Sequence, residues 1–180
     1  LNPAGFTPVV TDPDSRIVLA DSGAILEYFD ETQEQAPLFG SGPAERAEVR
    51  RIIAWFDQKF YAEVGLPYLQ ERMWHRLYTQ QAPDATVLRH AHQACLRLLG
   101  YVQRLLEERR WLGGVALTMA DLAAAAHLSV VDYLGGVIWD AFEDVKRWYM
   151  TVKSRPSFRP LLADRMPGLT PPLHYGELDF

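Results

Sequence analysis

Asp21 and Ser22 stand together where the apolar run "RIVLA" meets a helical repeat, and two uses suit such a pair. The first turn of a helix leaves backbone N–H groups without partners, and Asp or Ser commonly caps them. The same N–H groups, with a serine hydroxyl beside them, make a seat for a ligand's carboxylate. Capping and binding are compatible, so these two residues alone leave the choice open.

Other chemistry-bearing residues read more simply. Thr118 and Asp121 have the spacing of a capping box, with a Thr cap and an acid three residues on. Asp121 is therefore expected to be buried, hydrogen-bonded and structural. Cys95 falls on an apolar helical stripe, which predicts an inert thiol. His90 and His92 are two apart and cannot share a helix face, while His75, His127 and His174 are isolated, so no metal site is expected. Trp74, near Arg72 and Tyr78, reads either as packing or as the lining of a pocket between domains.

The elements that must position these residues are legible from pattern. "PVV" and "RIVL" flank the turn sequence "TDPDS", which predicts a hairpin over Pro8 to Ala20. A helix follows, with Ala24, Ile25, Tyr28 and Phe29 at three- and four-residue spacing. "APLFGSGP" then breaks the pattern as a domain boundary. Two strands and one helix are too little to form a core alone.

The remainder is helical. From Ala44, Val49, Ile52, Ile53, Phe56, Phe60 and Val64 make one stripe, and "GLPY" at Gly65 predicts a kink or interruption. A second long helix from about Asp84 carries Val87, Ala91, Ala94, Cys95, Leu98, Val102 and Leu105, ending at "RRWLGG". "TMADLAAAAHLSVV" is apolar all round and predicts a helix in the middle of the bundle. A further helix carries Phe142, Val145, Trp148, Tyr149 and Val152. From Arg165 the prolines and glycines predict an extended tail, yet Leu169, Leu173, Tyr175, Leu178 and Phe180 are too apolar for a solvated one.

Bulk properties exclude several classes. At 180 residues roughly 70% of the unfolded surface can be buried, so a core needs no staples. A net charge of -5 argues against nucleic acid as a main partner. No apolar run approaches the roughly 20 residues of a membrane span. A single cysteine rules out an internal disulfide and fits a reducing cytoplasm.

In their order and spacing, "NPAGFTPVV", "LADSGAILEYF", "LTMADLAAAAHL" and "RPSF" resemble the glutathione S-transferase family over nearly the whole chain before the tail. The resemblance implies an α+β fold. Residues 1–38 would be the C-terminal half of a thioredoxin-like domain, residues 43–164 an all-helical domain, and residues 165–180 an extended tail. It also implies that a first strand–helix–strand precedes Leu1, which is not an initiator methionine. The family's catalytic Tyr, Ser or Cys lies in that segment, so no catalytic residue is expected here. Thr7–Pro8 matches the family's cis-proline turn, where Thr7 would offer backbone groups to the cysteinyl part of glutathione. The plainer reading is a strand start. Asp21–Ser22 matches the acidic–Ser pair that holds the γ-glutamyl end, with Asp21 one methylene shorter than the usual Glu or Gln. Thr7, Pro8, Asp21 and Ser22 are thus the implied glutathione-binding set, in a two-fold homodimer without metal.

"SRPSFRPLLADRMPGLTPP" and the tail after it resemble, more narrowly, bacterial cell-division proteins of this family that bind the tubulin-like GTPase FtsZ. This implies a cytoplasmic adaptor that binds FtsZ filaments through its helical domain and tail, with Leu173, Tyr175, Leu178 and Phe180 as partner-binding anchors. The rivals are a transferase conjugating glutathione to electrophiles and, behind it, a regulatory domain with another partner.

Overall fold

The chain opens with two short β-branched runs and then shifts to helical spacing, and the fold follows that change. A computed structural model describes residues 2–32 and 37–180; Ala36, where the expected break begins, lies outside them. Strands β1 (Val9–Asp12) and β2 (Ile17–Ala20) pair antiparallel, Val9 opposite Ala20 and Asp12 opposite Ile17. The Asp12 carboxylate closes the turn by accepting from the Asp14 amide at 3.0 Å and the Ser15 hydroxyl at 2.6 Å. It also accepts from the Tyr28 hydroxyl at 2.8 Å, which fastens the hairpin to α1, Ser22–Thr32. Of the stripe expected on α1, Ile25 is buried but Phe29 is exposed. A hairpin with one helix has too little inward surface to hide every apolar residue it carries.

Leu38 joins this part to the helices. Its N–H donates to Asp30 at 2.5 Å, and its carbonyl accepts from the Met119 N–H at 2.9 Å. The first helical rod begins as α2 (Pro43–Ala54), widens to π-helical turns over Trp55–Gly65, returns to α over α3 (Leu66–Tyr68), and widens again over Leu69–Thr79. At "GLPY", where a kink or interruption is expected, the rod is not broken: the chain stays helical through Pro67 and changes there from π-helical turns to the short α3 and back. The rod ends at Gln80, whose φ of 53° takes the left-handed conformation common just past a helix.

Asp84 caps α4 (Ala85–Glu108), its carboxylate accepting from the Thr86 and Val87 amides. The apolar α5 (Met119–Tyr133) is central as expected, with Ala120, Ala124, Ala125, Leu128 and Val131 fully buried. Its small residues let the rod and α6 (Glu143–Lys153) pack closely on it. Phe56, Phe60 and Val64 from the rod, Leu99 and Val102 from α4, and Tyr149 and Val152 from α6 complete one core. The short α7 (Arg159–Ala163) leads into the tail.

The tail is extended apart from a turn at Gly168 (φ 82°) and a 3-10 turn over Leu173–Gly176. It is packed on the helices, not solvated: Tyr175 is buried, and Leu178 and Phe180 lie against the core. Leu173, the remaining expected anchor, is 95% exposed. The 3-10 turn that sends Tyr175 inward points its first residue to solvent. Trp74 and Tyr78 are not buried in the core. They stack on each other at 4.5 Å, 51% and 66% exposed.

Candidate functional site

The hairpin register brings the expected ligand residues together. Val9 and Ala20 form the last pair, so Thr7–Pro8 and Asp21–Ser22 leave the sheet at the same end. The Thr7–Pro8 bond is cis, and all four residues are exposed. Asp21 caps α1: its Oδ1 accepts from the Ala24 N–H at 3.0 Å and its carbonyl from the Ile25 N–H at 3.1 Å. Its φ of 86° lies in the left-handed region, which Asp tolerates better than most residues and which clusters at functional turns. Among the described residues, Asp21 Oδ2 and the Ser22 hydroxyl make no hydrogen bond. Capping therefore uses one carboxylate oxygen. The second oxygen can receive an ammonium group, and the hydroxyl beside the helix N-terminus can donate to a carboxylate.

A second constellation lies under the tail, and sequence reasoning missed most of it. Asp132 on α5 is buried; its Oδ1 accepts from Trp139 Nε1 at 2.9 Å and bonds His174 Nε2 at 2.8 Å. Ser129, one turn earlier, bonds the Tyr175 hydroxyl at 2.8 Å. The Tyr133 hydroxyl donates to the Leu169 carbonyl at 3.1 Å and accepts from the Met166 amide at 2.9 Å. Lys153, at the end of α6, is fully buried and donates to the His174 carbonyl at 3.3 Å. Its ammonium sits 4.4 Å from the centre of the Phe180 ring and 5.4 Å from that of Tyr149. Burial pushes the Lys153 pKa down, partly offset by the nearby Asp132 and Glu177 charges. Burial pushes the Tyr149 hydroxyl up, and neither that hydroxyl nor Asp132 Oδ2 has a partner among the described residues. The available signal was a Ser and an Asp inside an otherwise apolar helix, "HLSVVDY". Such residues need partners, which the tail supplies.

The remaining candidates are structural. Asp121 is fully buried and accepts from the Leu112 and Thr118 amides, the Thr118 hydroxyl and Trp148 Nε1, at 2.8–2.9 Å. Burial raises its pKa against these four bonds. Cys95 is buried, and its thiol pKa is pushed up to about 12, so it is a packing residue. No group of three metal-ligating side chains occurs among the described residues.

Residues 66–156 match the family model for the glutathione S-transferase C-terminal domain. FtsZ-localized protein A of Caulobacter vibrioides is 50% identical over 182 aligned positions, covering 100% of this chain and 80% of that protein. Glutathione S-transferase GstB of Escherichia coli is 26% identical, covering 90% of this chain and 76% of its own length. The crystal structure of a glutathione S-transferase from Rhodospirillum rubrum F11 superposes with a TM-score of 0.92 at 44% identity, over 99% of this chain and 80% of that one. The α+β arrangement, the helical bundle and these likenesses agree: the chain belongs to the glutathione S-transferase family.

Proposed function

We propose that this chain is a cell-division regulator that works in the cytoplasm as a homodimer and binds FtsZ filaments through its helical domain and tail. One observation carries the reading: the 50% identity to FtsZ-localized protein A spans the whole chain, tail included. The parts divide the work as residues 1–38, 43–164 and 165–180, with the tail supplying the partner surface. Leu178 and Phe180 hold that surface in shape, Tyr175 anchors it, and Leu173 is the apolar side chain offered outward. Co-sedimentation with FtsZ polymers tests this. The wild-type chain should pellet with polymer, and Leu173→Asp should lose pelleting at unchanged melting temperature, since its side chain touches little. A wild-type chain that stays in the supernatant sinks the adaptor reading.

The second reading, glutathione binding, rests on the unengaged Ser22 hydroxyl and Asp21 Oδ2 at the N-terminus of α1. Calorimetry with glutathione should show binding that Ser22→Ala weakens by about 1.5–3 kcal/mol, the worth of a hydrogen bond to a charged group. The melting temperature should not move, because Asp21 still caps. Absence of heat with the wild-type chain would leave the pair as a cap alone.

A further inference from the structure

The end of α4 and one face of α6 border a cleft of about 230 Å³. From α6 come Asp144, Arg147, Trp148 and Thr151, spaced three and four apart so that they share a face. From α4 and the chain leaving it come Leu106, Arg109, Arg110 and Trp111. The cleft is smaller than a drug-sized site and suits a compact ligand.

The charges of the cleft fix the sign of that ligand. Three guanidinium groups meet one carboxylate here, in a chain whose net charge is -5. Arg109 is committed: its Nη1 donates to Glu48 at 2.7 Å and to the Leu112 carbonyl at 3.0 Å. Asp144 is committed too, accepting from Gln103 Nε2 at 2.5 Å and pairing with Arg147 at 3.2 Å. Arg110 has no carboxylate partner among the described residues, and its guanidinium sits 5.9 Å from the centre of the Trp111 ring. The Arg147 side chain is 72% exposed, and its pairing with Asp144 leaves donors to spare. Two guanidinium forks from separate elements match the several oxygens of a phosphate better than the two of a carboxylate.

We propose that this cleft binds a small phosphomonoester, its dianionic phosphate held between Arg110 and Arg147 and its organic body laid over Leu106 and Trp148. The site uses no residue of the α1 seat or of the tail, and it depends on neither functional reading.

The probe is phenyl phosphate, titrated at constant ionic strength and followed through the indole N–H signals of nitrogen-15-labelled protein. The Trp111 and Trp148 signals should move along a saturable curve, while those of Trp55 and Trp74, outside the cleft, should stay. Arg110→Gln and Arg147→Gln should each weaken binding about threefold to tenfold, the loss of a charge-assisted bond at an exposed site. Arg97→Gln removes the same charge from a guanidinium that bonds Glu63 elsewhere, and it should change nothing. Benzenesulfonate, similar in shape with one charge fewer, should bind at least about threefold more weakly, as should inorganic phosphate for want of the ring. Shifts that do not saturate, or an Arg97→Gln loss equal to that of Arg110→Gln, overturn the site. Benzenesulfonate as tight as phenyl phosphate overturns the dianion, and inorganic phosphate as tight overturns the organic body.

Discussion

At the scale of single residues, the same side-chain type does opposite work depending on what surrounds it. Asp21 keeps one oxygen free in water, whereas Asp121 has both oxygens engaged by four donors from three segments. Removing Asp121 leaves those donors buried without an acceptor, each at a penalty of about 1–3 kcal/mol before relaxation. Asp121→Ala should therefore destabilise the chain by about 3–5 kcal/mol, read as a shifted urea midpoint with unchanged slope. Asp121→Asn should recover part of the loss, since one amide oxygen still accepts.

At the scale of elements, Glu48 ties α2 to the end of α4. Its carboxylate takes two bonds from Arg51, at 2.7 and 2.8 Å, and one from Arg109 at 2.7 Å, while Arg51 reaches the Tyr101 hydroxyl. The Arg51 bond, helped by Arg109, lowers the Glu48 pKa from its usual 4.5 to about 2. A carboxylate held below its unfolded value stabilises the fold above that value, and the contribution fades as pH falls from 4.5 through 2. Glu48→Gln should lower the melting temperature by about 2–4 °C at pH 7, the worth of about 1 kcal/mol at this size. The gap to wild type should close by pH 2.

The elements themselves were largely legible. The hairpin, α1, α4, α5 and α6 follow from periodicity and turn chemistry, which are local signals. Pro67 marks a change of helical type inside the rod and not its end, and whether the surrounding packing keeps such a segment helical is a tertiary outcome. The direction of Leu173 was not legible, because apolar character in a tail does not say which way a 3-10 turn will face. The paired roles of Ser129, Asp132 and Lys153 were illegible for a related reason: their partners in the tail lie 21 to 46 residues away in sequence.

At the scale of the molecule, the hairpin part and the bundle are linked by the Leu38 backbone and the exposed pairs Arg46–Glu31 and Arg50–Glu27. Surface pairs of this kind contribute little, so the bundle's continuous core sets the stability. The proposed homodimer predicts twice the chain mass in light scattering at micromolar concentration. A monomer under those conditions would remove the dimer from the functional reading.

The burial of Lys153 turns the tail into something that can be timed. The chain has three lysines, and only Lys153 is sealed beneath the tail; the Lys59 side chain is 48% exposed and that of Lys146 25%. An amine acylating reagent should modify Lys59 within the mixing time and reach Lys153 only when residues 174–180 lift. Mass spectrometry of the Lys153 peptide, normalised to Lys59, thus reads the opening equilibrium of the tail without any label. A partner that grips the closed tail should slow that modification, and Leu173→Asp should leave its unbound rate unchanged. Acylation of Lys153 as fast as Lys59 would show that the seal is open most of the time.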